Sequence, residues 1–115
     1  FDFVAVEDCA YANVCAMKSD AVDQNYNVGT GKRTSLKELA EMLLELTACE
    51  QQISYAERSA ATLVKNRIGD PRRAAEEIGY EAQISLEEGL KRLIDWRASD
   101  KEAVAARKRS VGIKD

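Results

Sequence analysis

The chain has 115 residues, a formal net charge of −3, and 45% hydrophobic and 32% charged residues, which is the composition of one soluble globular domain. The negative balance argues against nucleic acid as the main partner, because nucleic-acid-binding modules carry a basic face. No apolar run approaches the ~18 residues of a membrane span. Three cysteines without any histidine exclude the usual zinc and triad chemistries and predict reduced thiols in a cytoplasmic protein.

The first third of the chain predicts a strand, a helix and a second strand. Residues 1–6 alternate as a short strand does. Good helix formers follow from Cys9 to Lys18, with Glu7 or Asp8 placed to serve the N–H groups of the first turn. Residues 25–28 have β propensity and predict the second strand.

A glycine loop and a capped helix come next. Gly29 and Gly31 allow the sharp turn that ends the strand, and Ser35 with Glu38 forms a capping box, so a helix begins at Leu36. Residues 52–55 predict a third strand, parallel to the second because a helix crosses between them. The pattern therefore indicates an α/β (α+β) fold, with a small, mostly parallel sheet of short strands and several packed helices.

The second half of the chain is predicted to be helical after an irregular loop over residues 56–69. Asp70 as N-cap and Pro71 at the first helical position predict a helix that ends at Gly79. A second capping box at Ser85 starts the last helix, which continues to Trp96. We therefore expect one lobe over residues 1–97 and a charged helical tail over residues 98–115.

Several short motifs recur in one order and one spacing across this chain. Together they resemble the carboxyl-terminal part of the NAD-dependent epimerase/dehydratase family, the extended short-chain dehydrogenases. The motifs are Asp2-Phe-Val-Ala-Val-Glu-Asp8, Tyr26-Asn-Val-Gly-Thr-Gly31, Ser35-Leu-Lys-Glu-Leu39, Asp70-Pro71, Ile78-Gly-Tyr80 and Ser85-Leu-Glu-Glu-Gly-Leu90. The resemblance implies the substrate-side lobe of an enzyme such as a UDP-glucose 4-epimerase, and either epimerisation or dehydration is compatible with it.

The family's catalytic and cofactor motifs are missing from the chain. There is no Gly-x-x-Gly-x-x-Gly fingerprint for NAD, and no tyrosine is followed four residues later by lysine. NAD is therefore implied for a full-length relative but not for this chain. No catalytic or metal-binding residue can be assigned, and we expect the chain alone to be inactive.

The resemblance implies a nucleoside-diphosphate sugar as the ligand, held by Arg58 and, as second choice, by Arg67. Arginine forks suit a diphosphate, although both residues could equally be solvated loop arginines. Asp2 and Asp8 match acidic family positions and are expected to be structural, tying loops and capping a helix, rather than to bind ligand. The alternative function is a non-catalytic binding or scaffold module that forms a homodimer through the first or the last helix.

Overall fold

The computed structural model describes residues 1–56 and 66–110, with five helices among them. These are α1 (Val6–Lys18), α2 (Leu36–Leu46), α3 (Arg72–Ile78), α4 (Leu86–Ser99) and α5 (Lys101–Ser110). No helix in these two ranges has the length and apolarity needed to cross a bilayer.

Helix α2 begins where its capping box predicts. The Glu38 N–H donates to Ser35 Oγ at 3.1 Å, and the Ser35 N–H donates to the Glu38 carboxylate at 2.6 Å. The bond from the Ser35 N–H is also the main reason that the pKa of Glu38 is lowered. Although α2 is strongly amphipathic, none of its residues is buried, so its apolar stripe is only partly covered by the described residues.

Helices α3 and α4 lie where they were predicted, but the N-cap residue of α3 is Pro71 rather than Asp70, and no side chain caps it. Gly79 ends α3 in the left-handed conformation, with φ 68° and ψ 24°. Ser85 caps α4 by accepting from the Glu88 N–H at 3.2 Å, but the Glu88 carboxylate bonds Arg92 Nε at 2.9 Å. The second capping box is therefore only half formed. The predicted helical tail is interrupted at Asp100 and continues as α5.

Asp70 restrains the start of α3 by binding Arg72. Its carboxylate accepts from Arg72 Nε at 3.0 Å and from the Arg72 backbone N–H at 3.1 Å. The side-chain bond, followed by the backbone bond, lowers the pKa of Asp70 to about 2. A lowered carboxylate pKa means that the stabilisation is present above the unfolded value of about 3.9 and is lost as the pH falls toward 2.

Because the pKa of Asp70 is lowered, the effect of Asp70→Asn on stability should depend on pH. The variant should melt at a lower temperature than the wild type at neutral pH. The difference should shrink between pH 4 and pH 2, because the protonated wild-type carboxyl then resembles the amide. Thermal melts followed by circular dichroism across this range test the prediction, and a difference that stays constant down to pH 2 would contradict it.

The predicted sheet is not confirmed. No residue in the described ranges is assigned to a strand, including residues 1–5, 25–28 and 52–55. Phe1 and Thr34 exchange backbone bonds of 2.7 and 2.8 Å, and the Asp2 N–H donates to the Arg67 carbonyl at 3.0 Å. These isolated pairs do not extend into a ladder, because the next donors in the glycine loop bond the Asp2 side chain instead.

Helix α1 begins three residues before its predicted start. Val6 is its first residue, and Ala5 precedes it without a side-chain cap. The residues expected at the amino end, Glu7 and Asp8, therefore lie inside the first turn. Alternation alone cannot separate a strand from an extended lead into a helix, and the prediction of one strand over residues 1–6 is therefore wrong at Val6, which begins α1.

Small side chains bring α1 and α3 together. One buried cluster consists of Ala12 and Cys15 of α1, Ala74 and Ile78 of α3, and Tyr80, and Leu90 of α4 is buried as well. Tyr80 is fully buried, and this burial is the main reason that its pKa is raised to about 12. Cys9, Cys15 and Cys49 are all free thiols.

Candidate functional site

The glycine loop is closed by the Asp2 side chain. The carboxylate accepts from the backbone N–H of Thr30 at 3.0 Å, from the backbone N–H of Gly31 at 2.9 Å and from the Thr30 hydroxyl. These donors are therefore already bonded to an anion that belongs to the chain. The loop does not fit a phosphate or the pyrophosphate of NAD, and its glycines serve the turn.

Gly29 is required by the close approach of Asp2. A Cβ atom at residue 29 would stand 2.5 Å from Asp2 Oδ2, well inside van der Waals contact. Gly31 has a different requirement, because its φ of +70° lies in the left-handed region. Glycine is thus needed at residue 29 for lack of space and at residue 31 for backbone conformation.

Asp8 holds the segment between α3 and α4. It is only 2% exposed, and its two carboxylate oxygens accept from the backbone N–H groups of Gln83 and Ile84, each at 3.0 Å. The expectation that Asp2 and Asp8 tie loops is confirmed by these bonds.

A cavity of about 420 Å³ lies between the glycine loop, the start of α3 and the segment leading into α4. We call it the Lys32 cavity. Its lining includes Phe3, Thr30, Lys32, Pro71, Tyr80 and Ile84. Sequence reasoning missed this cavity, and the glycine loop was the one signal that pointed toward it.

Of the two predicted arginines the structure describes only Arg67, which does not line this cavity. Arg58 lies outside the described residues. Arg67 is exposed, and its carbonyl is fixed by the Asp2 N–H at 3.0 Å. Within the described residues the Arg67 guanidinium makes no hydrogen bond or ion pair. Arg33, which sequence reasoning did not single out, donates to the Asn66 side chain at 3.1 Å and so lies beside the same segment.

A polar cluster on α3 attaches residues 24–26 to that helix. Tyr26 Oη donates to Glu77 at 2.7 Å, Arg73 Nε donates to the other Glu77 oxygen at 2.7 Å, and the Arg73 guanidinium lies 5.3 Å from the Tyr26 ring centre. The hydrogen bond to Glu77 raises the pKa of Tyr26, while the bond from Arg73 lowers the pKa of Glu77. This is the pattern of a structural ion pair rather than of an acid–base dyad. Residues 1–56 and 66–110 also hold no group of three or more side chains able to bind a metal ion.

Sequence relatives of the chain are enzymes of nucleotide-sugar metabolism. It is 36% identical over 103 residues to a putative UDP-glucose 4-epimerase of Methanocaldococcus jannaschii, covering 83% of this chain and 30% of the relative. It is 31% identical over 107 residues to dTDP-glucose 4,6-dehydratase of Haemophilus influenzae, covering 83% and 31%. The chain thus spans about a third of the length of these relatives. No protein-family model matches it.

The chain is also similar to about a third of each of two solved enzyme structures. The Thermotoga maritima UDP-glucose 4-epimerase with UDP-glucose matches with a TM-score of 0.73 and 36% identity, covering 78% of this chain and 28% of that one. The Bordetella bronchiseptica enzyme WbmF with NADH matches with a TM-score of 0.81 and 26% identity, covering 98% and 34%.

The fold of the chain is therefore similar to that of short-chain dehydrogenases of the epimerase type, an α/β class. More particularly, the chain is related to the NAD-dependent epimerase/dehydratase family over about four fifths of its length.

Proposed function

We propose that this chain is the carboxyl-terminal, substrate-binding part of an NAD-dependent nucleotide-sugar epimerase or dehydratase, and that it is inactive alone. Its relatives are about three times longer, and it has neither the NAD fingerprint nor the Tyr-x-x-x-Lys pair. In the whole protein, residues 1–5, 25–28 and 52–55 would form the short, mostly parallel strands. The free thiols fit a cytoplasmic location.

The main support for a diphosphate ligand is the arrangement of Arg67. Its backbone is fixed against Asp2, while its exposed guanidinium has no protein partner among the described residues. A guanidinium positioned in this way can bind a diphosphate through two N–H groups. Arg58, the first choice from the sequence, lies outside the described residues and stays a prediction.

Calorimetric titration with UDP-glucose and dTDP-glucose tests this assignment. Arg67→Ala should weaken binding about 10- to 100-fold, because a hydrogen bond to a charged group contributes about 1.5–3 kcal/mol. Arg97→Ala, which removes an exposed arginine from α4, is the matched control and should bind like the wild type. Equal affinities of the two variants, or turnover by the isolated chain, would contradict the proposal.

The exposed face of α1 favours the second candidate function, a non-catalytic module that forms a homodimer. Val6 is 77% and Met17 is 84% exposed, and Val14 lies between them on the same face of the helix. Apolar surface of this kind is typical of a contact with another protein.

Sedimentation equilibrium tests this second candidate. We expect a monomer–dimer equilibrium that Met17→Glu shifts to monomer. Val22→Glu, at an exposed residue beyond α1, should leave the equilibrium unchanged. A wild-type chain that is monomeric at high concentration would remove the candidate.

A further inference from the structure

The lining of the Lys32 cavity has an apolar part, which we call its floor, and a polar part, which we call its rim. Pro71 and Ile84 are half-buried and Tyr80 is fully buried. Phe3 is half-buried, and its ring centre lies 6.4 Å from that of Phe1. Thr34 and Gln83 add polar groups to the rim. At about 420 Å³ the cavity lies within the range of small-molecule sites, which are mostly apolar with a few polar groups that fix orientation.

The charges around the cavity differ in whether they are already paired. Lys32, Arg72 and Glu81 are the charged residues of its lining, two cations and one anion. Arg72 is bound by Asp70, with bonds of 3.0 Å from Nε and 2.6 Å from the terminal nitrogen. The Lys32 ammonium makes no hydrogen bond or ion pair within residues 1–56 and 66–110, so it can bind an anion.

We propose that the Lys32 cavity binds a small organic anion, consisting of one ring that carries a phosphate or carboxylate group. The ring would lie on the apolar floor beside Phe3, and the anionic group would pair with Lys32 at the rim. This site differs from the proposed diphosphate site, because Arg67 is not part of the cavity lining.

Titrations of the 115-residue chain followed by its amide NMR spectrum test the site with four probes. Phenyl phosphate should bind at least tenfold more tightly than phenol or inorganic phosphate, because phenol lacks the anion that pairs with Lys32 and inorganic phosphate lacks the ring that lies on the floor. The largest shifts are expected at the amides of Thr30, Lys32 and Ile84. Benzoate is the carboxylate arm, and whichever of benzoate and phenyl phosphate binds more tightly identifies the preferred anion.

Variants of Lys32 and Lys37 test the site directly. Both lysines are exposed, so their substitution should not unfold the chain. Lys32→Ala should weaken phenyl phosphate binding at least tenfold, whereas Lys32→Arg should retain it. Lys37→Ala, on the outer face of α2 where Lys37 pairs with Glu41 at 3.7 Å, should bind like the wild type. Unchanged binding in Lys32→Ala, or shifts that avoid the cavity lining, would overturn the proposal.

The same variants separate this inference from the proposed function. Arg67→Ala should weaken UDP-glucose binding and leave phenyl phosphate binding intact, and Lys32→Ala should do the reverse. If phenyl phosphate binding is lost in Arg67→Ala but not in Lys32→Ala, the cavity is not a separate site.

Discussion

Replacing Asp8 with alanine is expected to lower the free energy of unfolding by about 3 to 5 kcal/mol, since each hydrogen bond to a charged group contributes about 1.5–3 kcal/mol. The substitution leaves the N–H groups of Gln83 and Ile84 without their acceptor. It also creates a void next to the core, because Asp8 is buried. Urea unfolding followed by far-UV circular dichroism measures the loss.

Two further variants keep the Asp8 prediction testable. Asp8→Asn retains one carbonyl oxygen and presents an NH₂ group to the second N–H donor, so it should lose about half as much stability and still fold. Asp20→Ala changes an exposed aspartate outside the helices and should stay within about 0.5 kcal/mol of the wild type. If Asp8→Ala also stays within that range, the two bonds do not hold the segment.

Gly29→Ala is expected to cost about 2 to 4 kcal/mol, because an added atom in a packed site costs about 1–3 kcal/mol and the Asp2 bonds are weakened as well. The new methyl group would stand 2.5 Å from Asp2 Oδ2. The Asp2 carboxylate would therefore have to move away from the N–H groups of Thr30 and Gly31. The same urea experiment measures this effect.

The matched control for Gly29 is Gly69→Ala. A Cβ atom there would meet Asn27 Cβ at 3.7 Å, which is ordinary contact, so the substitution should cost less than about 1 kcal/mol. A double-mutant cycle adds a second check. In an Asp2→Ala background the clash disappears, and Gly29→Ala should then cost much less than in the wild type. Additive effects would show that Gly29 is required for another reason.

The helices could be predicted from sequence because their signals are local. The capping box at Ser35 fixed the start of α2, and Asp70, Pro71 and Gly79 bounded α3, all within a few residues of the elements that they define. The strands had no such signal. Residues 25–28 have the side chains of a strand, but a ladder needs a partner far along the chain, which local propensity does not specify.

Some parts of the candidate site could likewise be predicted from sequence, and others could not. The roles of Asp2 and Asp8 followed from the family pattern and are confirmed, although the partners of Asp8 were not foreseen because they lie 75 and 76 residues away. The Lys32 cavity could not be predicted, because it is formed by three segments that only the tertiary fold brings together. Arg67 was singled out as the second choice for the diphosphate, but only the structure shows that its backbone is fixed.

The bonds from Asp8 to Gln83 and Ile84 also constrain how a ribosome can deliver this fold. While a nascent chain has emerged only as far as α2, the two N–H groups that donate to the Asp8 carboxylate are still inside the ribosome. Burying the carboxylate at that stage would leave its charge without hydrogen bonds, so it stays in water. The buried position of Asp8 can therefore form only after residue 84 has left the exit tunnel. A helix that is synthesised early thus completes its packing late.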